Sequence, residues 1–409
     1  MDQLIERACG LDVHKASVAA CVRVPGERGR RSQDVRTFGI TTEDLLALRD
    51  WLQAHEVTHV AMESTGVYWK PVYYVLEEAF TCLLVNAAHV KQVPGRKTDV
   101  QDCVWIAQLL EHGLLRGSFV PPVPIRELRD LTRYRKSLIG ERQREANRLH
   151  KVLEDAGIKL ASVASDILGQ SGRAMLAALI GGTTDPVVLA DLAKGKLRAK
   201  LPALRAALTG RFRGHHAFLV MQILAHLDYL DEAIGAVSQE IEVHIAPFAE
   251  AIRRLDAIPG INQRAAEVVI AELGVDMTVF PSDRHLASWA GICPGNNESA
   301  GKHKAGTTRK GNRWLRALLV ETALAAIRKK DGPFGARYRR VLRHRGHPKA
   351  VIAVAHALLR TIYHVLASGQ EYHNLGPDYF DRRDTDRARQ RAVRTLERLG
   401  FKVTIEAAA

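Results

Sequence analysis

None of the five cysteines (Cys9, Cys21, Cys82, Cys103, Cys293) stands in a C-x-x-C pair, and each lies in or beside an apolar stretch. That spacing excludes a zinc-binding or disulfide framework and points to reduced, mostly buried thiols of an intracellular protein. The opening MDQLIERACG carries charges and no apolar h-region, so no secretory signal is expected. A charge-free apolar run long enough for a membrane is missing too. The most apolar helical stretch, residues 350–368, carries His356, Arg360 and His364 at i, i+4 and i+8. It reads as a core helix with a polar stripe, and its two histidines lack the third ligand that a metal centre needs. Internal repeats and low-complexity segments are absent.

Acidic residues are scarce in one place. Formal charge is +14, yet residues 300–349 hold 15 Lys/Arg against only Glu321 and Asp331, a net of +13. Charge of one sign concentrated in a single segment calls for a polyanion, and nucleic acid is the expected partner. At 409 residues with 46% hydrophobic side chains, the chain can bury two or three cores.

Along the chain, residues 7–24 alternate apolar and polar around a tight HKAS centre, as two antiparallel strands do, and a third strand is expected near Val35–Ile40. A helix opening at Thr42 with two acids follows, then a strand over 57–62, a helix over 68–79 and a strand over 81–86. Thr98 is placed to cap the next helix. Past the PPVP punctuation (121–124), two long amphipathic helices near 124–155 and 217–246 need each other as partners, in a helical hairpin or coiled coil. The expected fold is therefore α/β plus all-α. Its parts are a mixed-sheet domain over 1–123, a long-helix and insert region over 124–250, a helical domain over 251–370 and a charged tail over 371–409. No chemistry is assigned to residues 157–215.

Four carboxylates stand out: Asp12 in the first strand, Glu63 at the end of a later one, and Asp99 and Asp102 at a helix start. Singly, each has an ordinary reading as turn residue, strand end or helix-dipole partner. Together they are the donor set that divalent metals need, and hard oxygen ligands favour Mg²⁺ or Mn²⁺ over zinc. The strings GLDVHKASVAACV, AMESTGVYWKPVYYVLE and NAAHVKQVPGRKTDVQDCVWIAQLL resemble the DEDD domain of the insertion-sequence 110 family of transposases. That domain has an RNase H/RuvC-like fold, and the resemblance implies that its four metal-binding acids fall on Asp12, Glu63, Asp99 and Asp102. Cys103 replaces the small residue expected beside them. A sugar-kinase-like relative of the same fold is disfavoured, because no Gly-rich phosphate loop follows the first strands.

In the basic half, LDAIPGINQRAAEVVIAELG (255–274) looks like a helix-hairpin-helix unit whose Pro259-Gly260 turn could offer backbone N–H groups to phosphate. A plain αα-turn is the alternative. Next comes an irregular Gly/Asn loop carrying Ser299, followed by Gly301, Lys302, Lys304, Arg309, Lys310, Asn312, Arg313 and Arg316. These, with Lys97 in the first half, are the candidate phosphate contacts. On residue types alone Ser299 is a turn hydroxyl. ASWAGICPGNNESAGKHKAGTTRKGNRWLRALLVETA, however, is similar to the C-terminal domain of the same transposases, whose nucleophilic serine maps onto Ser299.

The resemblance implies a DNA transposase that cuts and rejoins double-stranded element ends and target through a phosphoserine intermediate, assisted by Mg²⁺ or Mn²⁺. It also implies a structured bridge RNA, a dimeric or tetrameric assembly, no membrane partner, and a place in the bacterial cytoplasm at the nucleoid. Two other readings remain at this point: a RuvC-like nuclease or junction resolvase that forms no covalent adduct, and a non-catalytic nucleic-acid-binding protein.

Overall fold

The structure is a computed structural model that describes residues 4–27, 30–63, 66–86, 102–294, 298–299, 302–303, 308–329, 332–374, 376 and 385–404. The chain divides into two compact units, 1–120 and 121–409.

In the first unit, strands β1 (Ala8–Val13), β2 (Val18–Pro25), β3 (Arg31–Phe38), β4 (His59–Glu63) and β5 (Thr81–Val85) form one sheet in the order β3-β2-β1-β4-β5. The β3-β2-β1 side is antiparallel, whereas β1, β4 and β5 run parallel. This mixed five-stranded sheet fits the RNase H-like expectation. Strand β3 begins four residues earlier than the apolar pattern suggested, because its mostly exposed edge registers on β2 through backbone bonds that leave no burial signature. Helix α1 (Thr42–Ala54) is capped by Thr41, one residue before the expected start: its side chain accepts from Asp44 N while the Asp44 carboxylate accepts from Thr41 N.

One face of the sheet packs Cys9, Leu11, Val60 and Met62 against Leu45 and Leu48 of α1, with support from α2 (Trp69–Leu76). The opposite face packs Ala8, Ala61 and Val85 against Ile106, Leu109 and Leu110 of α3 (Asp102–Glu111). The alternation of side chains along each strand decides which residues meet α3.

The second unit is built almost wholly of helices. Its frame is the antiparallel pair α4 (Val123–Asp155) and α8 (Gly214–Ile245), with the short helices α5 (Gln170–Ile180), α6 (Pro186–Asp191) and α7 (Leu201–Leu208) between them in sequence. Then follow α9 (Ala249–Asp256), α10 (Gln263–Leu273), α11 (Asp283–Trp289), the two-residue strands β6 (Glu298–Ser299) and β7 (Lys302–His303), α12 (Arg313–Arg328), α13 (Pro333–Arg345), α14 (His347–Ser368) and α15 (Thr385–Arg398). Helix α14 is long and apolar enough by composition to cross a membrane. In this fold it buries Ala355, Leu358, Leu359 and Ile362 and packs against α11, α12 and α13. Its polar stripe is explained by Asp283 of α11, which ion-pairs with Arg360 and lies 3.5 Å from His364 Nε2.

Candidate active site

Candidate site residues lie in both units, each group within its own unit. In the first, the parallel register pairs Leu11 with Met62, so one step further sets Asp12 beside Glu63 at the C-terminal ends of β1 and β4. Asp12 follows Gly10 by two residues and Glu63 follows Ala61 by two; both therefore belong to the α3 face. Helix α3 starts at this same end with Asp102 in its first turn. Gly10 is what lets it come so close: a Cβ there would lie 2.2 Å from Cys103 O and 2.4 Å from Ala107 N. Burial pushes the Cys103 thiol above its ordinary value, and the charges of Asp12 and Asp102 push the same way. Asp12 keeps about a quarter of its side chain exposed, and its Oδ2 lies 3.1 Å from His14 Nε2. Asp99 and Lys97 lie outside the described residues.

Three carboxylates on the α3 side of the sheet offer the hard oxygen donors that suit a divalent ion such as Mg²⁺, with the His14 imidazole beside Asp12. They do not converge on a single point: among the described residues, the one group of three with ligating atoms all within 4.8 Å is Asp155, His215 and His216 in the second unit. That group is a helix cap by its chemistry. His216 Nδ1 accepts from Arg213 N at 3.1 Å, which leaves the proton on Nε2, 2.9 Å from Asp155 Oδ2. A metal on Nε2 would need the other nitrogen to carry a proton, and Arg213 N–H already faces it.

In the second unit, Ser299 sits in a short antiparallel hairpin, with Ser299 paired to Lys302 and Glu298 to His303. An irregular loop was expected there; backbone pairing across the turn turns it into a β-arm. The base of the arm is clamped. Pro294 bridges Thr308, and Gly291 and Gly311 approach so closely that a Cβ on Gly311 would lie 2.5 Å from Gly291 N. Arg316 donates to Thr308 Oγ1 (2.7 Å), Arg309 O (3.3 Å) and Gly291 O (3.4 Å). Asn312 caps α12 by accepting from Trp314 N and Leu315 N, and its Nδ2 donates to Glu272 Oε2 at 2.5 Å.

Several expected phosphate contacts therefore have work within the protein. Asn312 and Arg316 are spent on the arm's base, and Gly311 faces backbone. Pro259 is buried, and Gly260 packs where a Cβ would lie 2.4 Å from Thr322 O on α12, so this turn serves helix packing. Arg309, Lys310 and Arg313 stay exposed, Arg313 with its guanidinium 5.0 Å from the Trp314 ring centroid. Gly301 and Lys304 lie outside the described residues; Lys302 is placed by its backbone alone, in β7.

What sequence reasoning missed is the polar hub behind the arm. Glu272 of α10 is fully buried and takes a bidentate pair from Arg133 (2.7 and 2.8 Å), while Arg129 donates to Glu272 O at 2.6 Å. Nearby, Arg135 and Glu267 form a second buried pair at 2.6 Å. The signal was legible: two glutamates in the apolar run RAAEVVIAEL and arginines at i, i+4 on α4.

Comparison with known proteins finds two matched domains in this chain. A family model described as a DEDD transposase domain of IS110 type matches residues 9–158, and one described as "Transposase IS116/IS110/IS902 family" matches residues 252–339. The transposase for insertion sequence element IS1328 of Yersinia enterocolitica is 27% identical over 194 residues, covering 47% of this chain and 48% of that protein. The Sinorhizobium fredii protein y4pF/y4sB is 32% identical over 128 residues, 30% of this chain and 33% of its own length. A second protein of that organism, y4qE, is 25% identical over 325 residues, covering 78% of this chain and 71% of its own. The chain thus spans about a third of y4pF/y4sB and half of the IS1328 protein. Through both matched domains, which together make up more than half of its residues, the chain belongs to the IS110 family of transposases.

Proposed function

We propose that the protein is a DNA transposase of an insertion sequence that cuts and rejoins double-stranded element ends and target through a phosphoserine at Ser299. The observation that supports the reading is the placement of Asp12, Glu63 and Asp102 on the α3 side of the sheet; the family resemblance adds Asp99 to the set. These acids would hold Mg²⁺ or Mn²⁺, which supplies Lewis-acid polarisation of the scissile phosphate and stabilises charge on oxygen. Ser299 Oγ forms the new bond to phosphorus, one P–O bond of the strand breaks, and the freed hydroxyl takes up a proton. Attack by the hydroxyl of another DNA end on the phosphoserine reverses these steps, so strands rejoin without a nucleotide cofactor. Arg309, Lys310 and Arg313, with Lys97, Lys302 and Lys304, bind the backbone and stabilise developing negative charge. The clamp at Gly291, Gly311 and Arg316 ties Thr308 and the residues just before α12 to Gly291 at the foot of the serine arm.

On this reading a structured bridge RNA pairs with donor and target DNA, and the protein contributes backbone contacts rather than base recognition. The long helices α4 and α8 present a coiled-coil surface for a dimer or tetramer acting at the bacterial nucleoid. The acids and Ser299 complete one active centre within a chain or between subunits.

The deciding experiment incubates the full chain with Mg²⁺, element-end DNA and the flanking noncoding RNA, then resolves products under denaturing conditions. A protein–DNA adduct that disappears in Ser299→Ala and in Asp102→Ala is expected. Strand exchange that persists in Ser299→Ala, or cleavage that yields hydrolysed ends without any adduct, would sink the serine mechanism.

A further inference from the structure

Residues 159–213, between the two long helices, fall in the gap between the two matched family domains, yet they pack with Leu149 and Leu153 of α4 and Val220 of α8 around one core that holds Leu160, Met175, Leu176, Leu189 and Leu204. The base of this module is pinned: Lys159 N donates to Ala207 O and Arg211 N to Ala156 O, both at 2.7 Å. Where the chain leaves α4 and where it returns to α8 are thus tied together by backbone bonds.

Charge on this module is one-sided. From Leu192 to Leu227 there is no Asp or Glu, while Lys194, Lys196, Arg198, Lys200, Arg205, Arg211 and Arg213 are all exposed. Arg205 reaches Asp191 at 3.8 Å, and Lys200 Nζ donates to Val163 O at 3.1 Å. Among the described residues, Lys194, Lys196, Arg198 and Arg211 have no carboxylate partner. A merely solvated surface intersperses both signs; cations without a carboxylate partner, as these four are, repel one another until a polyanion neutralises them.

We propose that this module is a second binding surface for the phosphate backbone of duplex DNA, apart from the serine arm. It rests on the reading of the chain as a DNA-cutting enzyme. The single aromatic between residues 192 and 213, Phe212, packs on the module's core, so no ring is offered for stacking unpaired bases. That favours a double-stranded backbone over a single strand. The binding is independent of base sequence, because its groups are flexible cations on the module's surface and not side chains ordered toward a groove.

The test uses the full chain and a fluorescent duplex of arbitrary sequence, with anisotropy titrations from 50 to 200 mM salt. In K194Q/K196Q/R198Q/R211Q, the slope of log affinity against log salt should flatten by up to about 3.6, at roughly 0.9 for each phosphate no longer neutralised. Wild-type protein should accordingly lose on the order of 100-fold more affinity across this range than the variant. The charge-preserving K194R/K196R/R198K/R211K should keep the wild-type slope, which separates removal of charge from damaged folding. Unchanged affinity and slope in the glutamine variant would overturn the proposal, as would wild-type protein that fails to bind the duplex. A loss seen only with duplex RNA would overturn the assignment to DNA. Steep, module-dependent binding by a wild-type protein that forms no Ser299 adduct would support the module while sinking the transposase chemistry.

Discussion

Replacing Gly10 by alanine puts a methyl group 2.2 Å from Cys103 O and 2.4 Å from Ala107 N, where ordinary contact begins near 3.4 Å. Both obstacles are backbone atoms of α3, so no rotamer change relieves them, and the helix must retreat from β1 by about 1 Å. Overpacking of this kind costs about 1–3 kcal/mol, which for a unit of this size lowers the melting temperature by roughly 3–12 °C. The functional effect should be larger. Asp102 travels with α3 while Asp12 and Glu63 stay with the sheet, and a misplacement of about 1 Å can cost about 100-fold in rate. The assay pairs thermal unfolding of the full chain with the rate of adduct formation at several Mg²⁺ concentrations, measured well below the variant's melting temperature. A Gly10→Ala protein with wild-type melting and wild-type rate would refute both the close approach and its role in assembling the acids.

Glu272→Gln leaves Arg133 without its buried counter-charge and should lower stability by about 3 kcal/mol in urea unfolding. Because Asn312 donates to the same carboxylate, Asn312→Ala combined with Glu272→Gln should cost less than the sum of the two single changes, and strict additivity would show that the arm's base is not tied to the hub. Burial pushes the thiols of Cys21 and Cys82 up to about 12, against about 8.5 for a free thiol in the unfolded chain. Between these values the folded state holds protons that the unfolded state has released, so stability should fall as pH rises from about 9 toward 12. Urea midpoints at rising pH should show that decline, and it should be shallower in Cys21→Ala.

Much of this protein was legible in its sequence, because the signals were local. Alternating strands around HKAS, the two long helices, the acids at Asp12, Glu63 and Asp102, and the basic run after Ser299 all depend on neighbours a few residues apart. The start of β3 was missed because an exposed edge strand is specified by its partner's backbone, not by its own pattern. Likewise, Asn312 and the Pro259-Gly260 turn read as phosphate contacts by type, and their contacts within the protein, Glu272 and Thr322, lie 40 residues or more away in sequence, where no local pattern shows them. The sequence alone determined which groups are available: four carboxylates, one serine in a Gly/Asn loop and a surplus of cations. Only the tertiary structure decided which of them meet. Setting β4 parallel beside β1, with a glycine that admits α3, brings Asp12, Glu63 and Asp102 to one face, and sheet order is a long-range pairing that no local window of residues contains.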